Sequence, residues 1–234
     1  MKQSLHGGIM AAGHGNRFKR AGFTVPKPLI EVNGIPLLGH AVSLFRRTGI
    51  CNISIVFNSS NMDKCRDYLL SSFPDMHFDI ICRDTATSAE TFLVLVSSIS
   101  SGRMVVTTVD SIYLDDTFSK FVTYASNLGS GDIALGMTGY IDDENPLYVS
   151  VDSDGKVLSL GAGHGEFVTC GVYSLDAKVV SDYDYRDFSA LRRLLSRFVE
   201  DGYRVSGFDM GQVIDVDRPE DIKQAESLCR VYGA

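Results

Sequence analysis

Apolar runs and helix-like segments alternate through the first half of the chain. In each run, apolar and β-branched residues stand together or alternate with polar ones, which predicts strands. In the intervening segments, apolar residues recur every three or four positions, which predicts helices. The predicted strands are residues 5–10, 29–32, 52–57, 77–82 and 103–109, and the predicted helices are residues 36–47, 62–73, 88–100 and 115–128. Strands that alternate with helices in this way indicate a parallel sheet with helices on both faces.

The pattern changes after Gly131, where the predicted strands follow one another closely. Asp152-Ser153-Asp154-Gly155 is a strong hairpin-turn sequence between two of them. The later predicted strands are residues 133–137, 146–151, 156–160, 167–173, 203–208 and 212–216, and the later predicted helices are residues 177–183, 186–201 and 219–229. We therefore predict an α/β fold with three αβα layers, a mixed, mostly parallel central sheet and a smaller antiparallel subregion. Because no stretch has the composition of a linker, residues 1–234 are predicted to form one domain, with halves at about 1–130 and about 131–234.

Composition narrows the functional classes. The chain has 234 residues, a formal net charge of −7 and a pI of about 5.2, which argues against nucleic acid as a partner. No run approaches the roughly 20 apolar residues of a membrane span, and the N-terminus has no secretory signal pattern. We therefore expect a cytoplasmic protein without a membrane partner. Five cysteines without a Cys-x-x-Cys pair fit reduced thiols. A homo-oligomer is compatible with the sequence.

The first predicted strand leads into a loop that is rich in glycine and in positive charge. The end of the strand and the loop together have the sequence Gly8-Ile9-Met10-Ala11-Ala12-Gly13-His14-Gly15-Asn16-Arg17. Glycines permit a tight turn with exposed backbone N–H groups, which attract anions. Arg17 offers a planar fork for phosphate oxygens, and Lys27, between two prolines, offers a compact charge. Residues 1–30 contain five basic and no acidic residues, so the sequence predicts an anion-binding loop.

Three aspartates fall beside strand ends farther along the chain. Asp110 follows the strand predicted at residues 103–109, and Asp215 and Asp217 lie beside the last predicted strand. Ligands of open parallel sheets collect at the carboxyl ends of strands, so we expect these aspartates to meet the cationic loop. Mg²⁺ binds through one or two carboxylates together with substrate oxygens, which predicts a Mg²⁺ site. In an extended strand Asp215 and Asp217 would share a face, so either of them is a candidate for the second Mg²⁺ ligand beside Asp110. Asp217 is also a candidate for the N-cap of the last helix.

Several motifs together resemble the nucleotidyltransferases that make nucleotide sugars and related activated metabolites. The loop Gly13-His14-Gly15-Asn16-Arg17 and the downstream Pro26-Lys27-Pro28 are similar to the family's Ala-Ala-Gly-x-Gly-x-Arg loop and its Pro-Lys-Pro. Weaker similarities follow in the family's order. They are Gly34-Ile35-Pro36-Leu37-Leu38, Asp110, Cys170-Gly171-Val172-Tyr173 and Ile214-Asp215-Val216-Asp217-Arg218-Pro219-Glu220-Asp221. The resemblance therefore runs from the first strand to the last helix.

This resemblance implies a Rossmann-like nucleotidyltransferase fold and a Mg²⁺-dependent reaction. NMP would pass from an NTP to a small phosphorylated acceptor, a sugar 1-phosphate or similar, with release of pyrophosphate. By the same resemblance, Asp110 with Asp215 or Asp217 would bind Mg²⁺. Arg17 and Lys27 would be catalytic, with Arg17 on the β- and γ-phosphates and Lys27 on the α-phosphate and the attacking phosphate. Nucleotide contacts are implied for Ala11, Ala12, Gly13, Gly15, Arg17, Lys27 and Ser88, and a substrate contact is implied for Gly171.

Two departures from the family pattern leave the substrates open. Thr87-Ser88 replaces the Gly-Thr that often reads the base in relatives, although Ser88 can still cap a helix or bond a ligand. Residues 161–173 contain no lysine, where many relatives have one for the sugar phosphate. A nucleotide- or sugar-phosphate-binding regulatory protein of the same fold is therefore an alternative. A glycosyltransferase is disfavoured, because Asp110-Ser111-Ile112 is not the Asp-x-Asp motif it would need.

Overall fold

The structure of the protein is a computed structural model that describes residues 5–141, 146–161 and 163–232. The strands are β1 (Leu5–Ala11), β2 (Glu31–Val32), β3 (Ile35–Pro36), β4 (Asn52–Phe57), β5 (His77–Cys82), β6 (Arg103–Thr108), β7 (Ser111–Ile112), β8 (Ile133–Thr138), β9 (Tyr148–Val151), β10 (Val157–Gly161), β11 (Phe167–Asp176), β12 (Val205–Asp209) and β13 (Ile214–Asp215). The helices are α1 (Asn16–Arg20), α2 (Leu37–Arg47), α3 (Met62–Ser72), α4 (Ser88–Val96), α5 (Asp115–Ser126), α6 (Leu191–Glu200) and α7 (Pro219–Tyr232). None of these helices is both long and apolar enough to cross a membrane.

β1 lies at the centre of a parallel sheet formed by the first half of the chain. It pairs with β4 on one side and β6 on the other, and β5 extends the sheet beyond β4, all in parallel. Ile9 lies opposite Ile55 and Thr107. Because helices cover both faces, the inner part of β1 is buried at successive positions and its sequence is apolar without alternation. The glycine-rich loop and Asp110 follow these strands at their common carboxyl edge.

The second half of the chain adds antiparallel strands to the same sheet. β11 pairs antiparallel with β6, β8 and β9, and β9 forms a hairpin with β10. The predicted hairpin turn is confirmed, because Asp152 accepts hydrogen bonds from the N–H groups of Asp154 and Lys156 at 2.9 Å each. β12 then runs parallel to β8. The predicted mixed sheet with an antiparallel subregion is thus confirmed.

Two apolar clusters fill the space between the sheet and the helices on its two faces. One lies under α2, α3 and α5 and includes the fully buried Phe45, Phe118 and Phe121. The other lies under α4 and α6 and includes Phe92 and Phe198. Burying one such side chain contributes about 1.5–3 kcal/mol. The helix–sheet–helix arrangement confirms the predicted three-layer αβα fold.

A third apolar cluster brings the two ends of the chain together beside the glycine-rich loop. Phe18 of α1 is fully buried in it, together with Val32 of β2 and Leu228 of α7. Next to this cluster β13 pairs antiparallel with β7, which places Asp215 opposite Ser111. The segment that closes the chain is therefore held against the loop that follows β6.

Two helices predicted in the second half are shorter than the apolar spacing indicated. Residues 177–201 contain two 3₁₀ turns and one α-helix, which are Ala177–Val180, Tyr185–Asp187 and α6. The side chains of Asp176 and Asp184 each accept a hydrogen bond from the backbone N–H two residues later. Such local bonds compete with helical ones, which explains why both predicted segments begin with a 3₁₀ turn rather than an α-helix.

Candidate active site

The turn from β1 into α1 is built around Gly15. Gly15 has a φ of 61°, in the left-handed region that costs other residues free energy. A Cβ on Gly15 would lie 2.8 Å from the Cβ of Lys27. Gly13 is different, because a Cβ there would meet no atom within 4 Å, and its position borders an open cleft. Glycine is therefore required by the protein's own packing at Gly15, but not at Gly13.

Lys27 lies between two of the predicted aspartates. Its Nζ is 2.5 Å from Oδ2 of Asp110 and 2.5 Å from Oδ1 of Asp217. The Lys27 side chain is only 9% exposed. Burial alone would lower the pKa of Lys27, but the two carboxylates more than offset this effect and raise the pKa. Lys27 therefore carries a fixed positive charge where the loop and two distant segments meet.

Asp110 is held by contacts from both ends of the chain. Besides the bond from Lys27 to its carboxylate, its carbonyl oxygen accepts the N–H of Val216 at 2.9 Å. Burial alone would raise the pKa of Asp110, but the Lys27 ammonium holds it below its usual value. Asp110 is therefore ionised at neutral pH.

Asp217 uses both carboxylate oxygens on cations. Oδ1 bonds Lys27, and Oδ2 accepts a hydrogen bond from Nη1 of Arg17 at 3.1 Å. Asp217 does not cap α7 with its side chain. Instead, Asp221 in the first turn of α7 reaches back, and its carboxylate accepts the N–H groups of Asp217 and Arg218 at 2.9 and 2.7 Å.

Asp215 and Asp217 both line the smaller cleft, but the extended strand that would place them on one face ends at Asp215. β13 ends at Asp215, and the chain then turns so that the N–H of Asp217 donates to the carbonyl of Asp215 at 3.1 Å. The carboxylate of Asp215 accepts a hydrogen bond from Ser111. Loss of hydration and the nearby carboxylate of Asp110 raise the pKa of Asp215 above its usual value. Of the two alternatives, Asp217 is the one that joins Asp110 at the Lys27 ammonium.

A buried asparagine that the sequence motifs did not single out holds the glycine-rich loop. Asn58 follows β4 directly, and its Nδ2 donates to the carbonyl oxygens of Ala12 at 2.9 Å and Gly13 at 3.2 Å. Its Oδ1 accepts the N–H of Asn61 at 3.1 Å, just before α3. A polar residue at the carboxyl end of a buried strand was the signal in the sequence that could have identified it.

The residues before α4 form a capping box. Oγ1 of Thr87 accepts the N–H of Glu90 at 3.1 Å, and the Glu90 carboxylate accepts the N–H of Ala86 at 2.8 Å. Ser88 is therefore not the cap. Its Oγ accepts the N–H of Leu191 at 2.9 Å, which ties α4 to α6. The Thr-x-x-Glu spacing was visible in the sequence and could have assigned the cap to Thr87.

Two clefts meet at Arg17 and Asp217. The larger has a volume of about 490 Å³ and lies between the glycine-rich loop and residues 85–88. The smaller, of about 170 Å³, lies between β8, β11 and the start of α7. Most residues predicted to contact a nucleotide line the larger cleft: Ala12, Gly13, Gly15, Arg17, Lys27 and Ser88. Ala11 does not line it, because Ala11 is the buried last residue of β1.

Gly171 lies in a close contact between β11 and the loop after β6. Its φ is 80°, and it falls where the register between β11 and β8 shifts. A Cβ on Gly171 would lie 2.5 Å from Oγ of Ser111 and 2.6 Å from Oγ1 of Thr108. Its neighbours Thr169 and Cys170 line the smaller cleft, whereas Gly171 does not. The close packing against Ser111 and Thr108 therefore requires glycine at this position. A substrate contact by Gly171 stays a prediction.

Comparison with known proteins relates this chain to one family. The model of the MobA-like NTP transferase domain matches residues 7–155. A bifunctional IPC transferase and DIPP synthase from Aquifex aeolicus is 25% identical over 93% of this chain and 50% of its own length. A 2-aminoethylphosphonate cytidylyltransferase from Lancefieldella rimae is 23% identical over 86% of this chain and 74% of its own length. The chain thus spans half the length of the Aquifex relative.

A solved structure shows the same fold. It is a protein from Bacillus anthracis described as a glucose-1-phosphate thymidylyltransferase, and it superposes with a TM-score of 0.85. The superposition covers 97% of this chain and 95% of the other, at 20% sequence identity. The Rossmann-like nucleotidyltransferase fold expected from the sequence motifs is therefore confirmed.

Proposed function

The chain belongs to the family of MobA-like NTP transferases, and we propose that it transfers a nucleotidyl group from an NTP to a small phosphorylated metabolite. The acceptor is a sugar 1-phosphate or a molecule of similar size, and the second product is pyrophosphate. In this reaction a phosphate oxygen of the acceptor forms a bond to the α-phosphorus. The bond from the α-phosphorus to the oxygen that bridges to the β-phosphate breaks.

The position of Lys27 is the observation that carries the proposal. The reaction brings an anionic phosphate against an anionic triphosphate, so its main requirement is positive charge at the meeting point. Lys27 supplies that charge in the larger cleft, between Asp110 and Asp217, and Asp217 lines both clefts. Arg17 borders both clefts and is suited to the pyrophosphate that leaves.

Asp110 and Asp217 are suited to hold Mg²⁺ together with the nucleotide. The ammonium of Lys27 already lies within 2.5 Å of an oxygen of each, so this pair accommodates a cation. No cluster of three or more metal-binding side chains occurs within residues 5–141, 146–161 and 163–232. Two carboxylates that leave the other positions to water and phosphate oxygens match the preference of Mg²⁺. When bound, Mg²⁺ would neutralise charge on the phosphates.

The residues of the chain then perform positioning and neutralisation rather than proton transfer. The attacking phosphate is ionised at neutral pH, so it needs no general base. Lys27 would draw it toward the α-phosphate, while the backbone at Gly13 lies open to the triphosphate. In the smaller cleft, Thr138, Thr169 and Arg218 line the space in which the acceptor would bind. Arg218 supplies positive charge on this side, where residues 161–173 have no lysine.

A screen for pyrophosphate release tests the proposal. The five common NTPs are each combined with sugar, alditol, choline and aminoethyl phosphates or phosphonates in the presence of Mg²⁺. We expect turnover with at least one pair, and we expect Arg17→Ala to abolish it while exposed Lys19→Ala, in the same helix, leaves it unchanged. If the folded protein binds an NTP but releases no pyrophosphate with any acceptor, the regulatory alternative replaces the enzyme.

A further inference from the structure

Asn58 joins the glycine-rich loop to α3 from inside the protein. It is fully buried and belongs to the lining of neither cleft. Its amide nitrogen donates to the carbonyls of Ala12 and Gly13, at 2.9 and 3.2 Å. Its amide oxygen faces the other way and accepts from the Asn61 N–H at 3.1 Å and the Ser60 hydroxyl at 2.7 Å. The amide nitrogen of Asn58 thus binds the loop, and its amide oxygen binds the residues just before α3.

The two bonds to the loop fix the direction of two peptide groups. In a trans peptide the carbonyl and the N–H point in opposite directions. Since the carbonyls of Ala12 and Gly13 turn inward to Asn58, the N–H groups of Gly13 and His14 turn away from it. Gly13 and His14 both border the larger cleft. Neither N–H donates to another group in the described part of the chain.

We infer that Asn58 is a positioning residue for the nucleotide, holding the N–H groups of Gly13 and His14 in the direction from which they bind the triphosphate oxygens. The inference rests on the proposed function, because it takes the larger cleft to bind an NTP. Donors that are oriented before the ligand arrives bind it without a further ordering cost. An enclosed amide is stable only when its hydrogen bonds are made, so the loop and Asn58 hold each other in this arrangement.

Asn58→Asp tests the donor bonds of the side chain to the loop separately from its acceptor bond to Asn61. The substitution keeps an acceptor for the Asn61 N–H but replaces the two donors by an oxygen that repels the loop carbonyls. Asn61→Asp is the matched control, because Asn61 is only 3% exposed, lies three residues away and makes no bond to the glycine-rich loop. The Mg²⁺ complexes of ATP, CTP, GTP, UTP and dTTP are first titrated into the wild-type protein by calorimetry. The nucleotide that binds is then titrated into both variants.

We expect Asn58→Asp to weaken the binding of that nucleotide at least about tenfold, as the loss of two hydrogen bonds implies, and Asn61→Asp to weaken it less than about twofold. In the wild-type protein, the amide proton NMR signals of Gly13 and His14 should shift when the nucleotide binds. In Asn58→Asp these shifts should be smaller at equal saturation, which a purely structural defect at α3 would not produce.

Four results would overturn the inference. Unchanged nucleotide affinity in Asn58→Asp contradicts it, and so does an equal loss of affinity in both variants. If Asn58→Asp does not fold, the NMR titration of the wild-type protein with the nucleotide is used instead. Amide proton signals of Gly13 and His14 that do not shift contradict the role given to their N–H groups. If the wild-type protein binds none of the five nucleotides, the proposed function fails as well, so the two failures are told apart.

Discussion

The two clefts that meet at Asp217 are built from different kinds of groups. The larger cleft is lined mostly by backbone and small side chains of two contiguous segments, the glycine-rich loop and residues 85–88. The smaller cleft is lined by side chains from distant elements, β8, β11 and α7. Its charged lining residues are Arg17, Asp215, Asp217, Arg218, Glu220 and Asp221. Lys27 lines the larger cleft only, and its ammonium bonds Asp217, which lines both clefts.

This difference suits the larger cleft to phosphate binding and the smaller cleft to the selection of the acceptor. In the proposed reaction, backbone N–H groups and two cations would bind the phosphates of any nucleotide, because all triphosphates present the same oxygens. Side chains drawn from several elements can vary independently, so the smaller cleft is where we expect the choice of acceptor to be made. The comparison predicts that substitutions on the two sides affect different substrates, and that Lys27 affects both.

Lys27→Met should have the largest effect. It removes the charge between Asp110 and Asp217 and leaves two carboxylates facing each other. We expect kcat to fall by about 10²–10³-fold, the usual cost of removing one group that stabilises charge in the transition state. Steady-state kinetics with Lys19→Met as control measures this effect. A loss of less than about threefold would mean that Lys27 is not at the reacting phosphates.

Asp217→Asn should have the next largest effect, on the requirement for Mg²⁺. Removing a proposed Mg²⁺ ligand should raise the Mg²⁺ concentration for half-maximal activity at least about tenfold. The same change at Asp215 should raise it less than about threefold and act mainly on the KM of the acceptor. Mg²⁺ titrations of both variants measure the difference. The opposite order would make Asp215 the ligand and move the metal into the smaller cleft.

Two glycines in the same loop should respond differently to alanine. Gly15→Ala forces a side chain into a left-handed conformation and against Lys27, so it should destabilise the protein by about 1–3 kcal/mol. Gly13→Ala should leave the stability within about 0.5 kcal/mol of wild type but raise the KM of the nucleotide about fivefold, because the new methyl group enters the larger cleft. Thermal denaturation and kinetics of both variants test this contrast. Equal stability losses would contradict it.

Thr87→Ala should have the smallest effect. The loss of the cap on α4 should cost about 1 kcal/mol of stability and change nucleotide binding only slightly. Exposed Thr123, within α5, provides the matched control, whose replacement by alanine should cost less than about 0.5 kcal/mol. Chemical denaturation measures both. If Thr87→Ala abolished nucleotide binding, its hydroxyl would be a ligand contact and not only a cap.

The sequence predicted the larger cleft better than the smaller one. The glycine-rich loop, Arg17 and Lys27 lie close together in the chain, so their local pattern was enough to place them together. The rule that ligands gather at the carboxyl ends of strands also brought Asp110 into the site correctly. What the sequence could not decide was the choice between Asp215 and Asp217, because it depends on the residue at which β13 ends. Asn58 was missed because its partners are backbone carbonyls, so no side-chain motif marks it and only its position at the carboxyl end of β4 could have identified it.

Radioactive labelling of the α-phosphate is the direct test of nucleotidyl transfer, because it follows the transferred group itself. The nucleotide that binds is supplied with ³²P at the α-position, together with the acceptor found by the pyrophosphate screen. Nucleotidyl transfer predicts that the label appears in a product that forms only when acceptor is present, in an amount equal to the pyrophosphate released. Label that appears as free NMP without acceptor, or that stays in the NTP, would contradict nucleotidyl transfer.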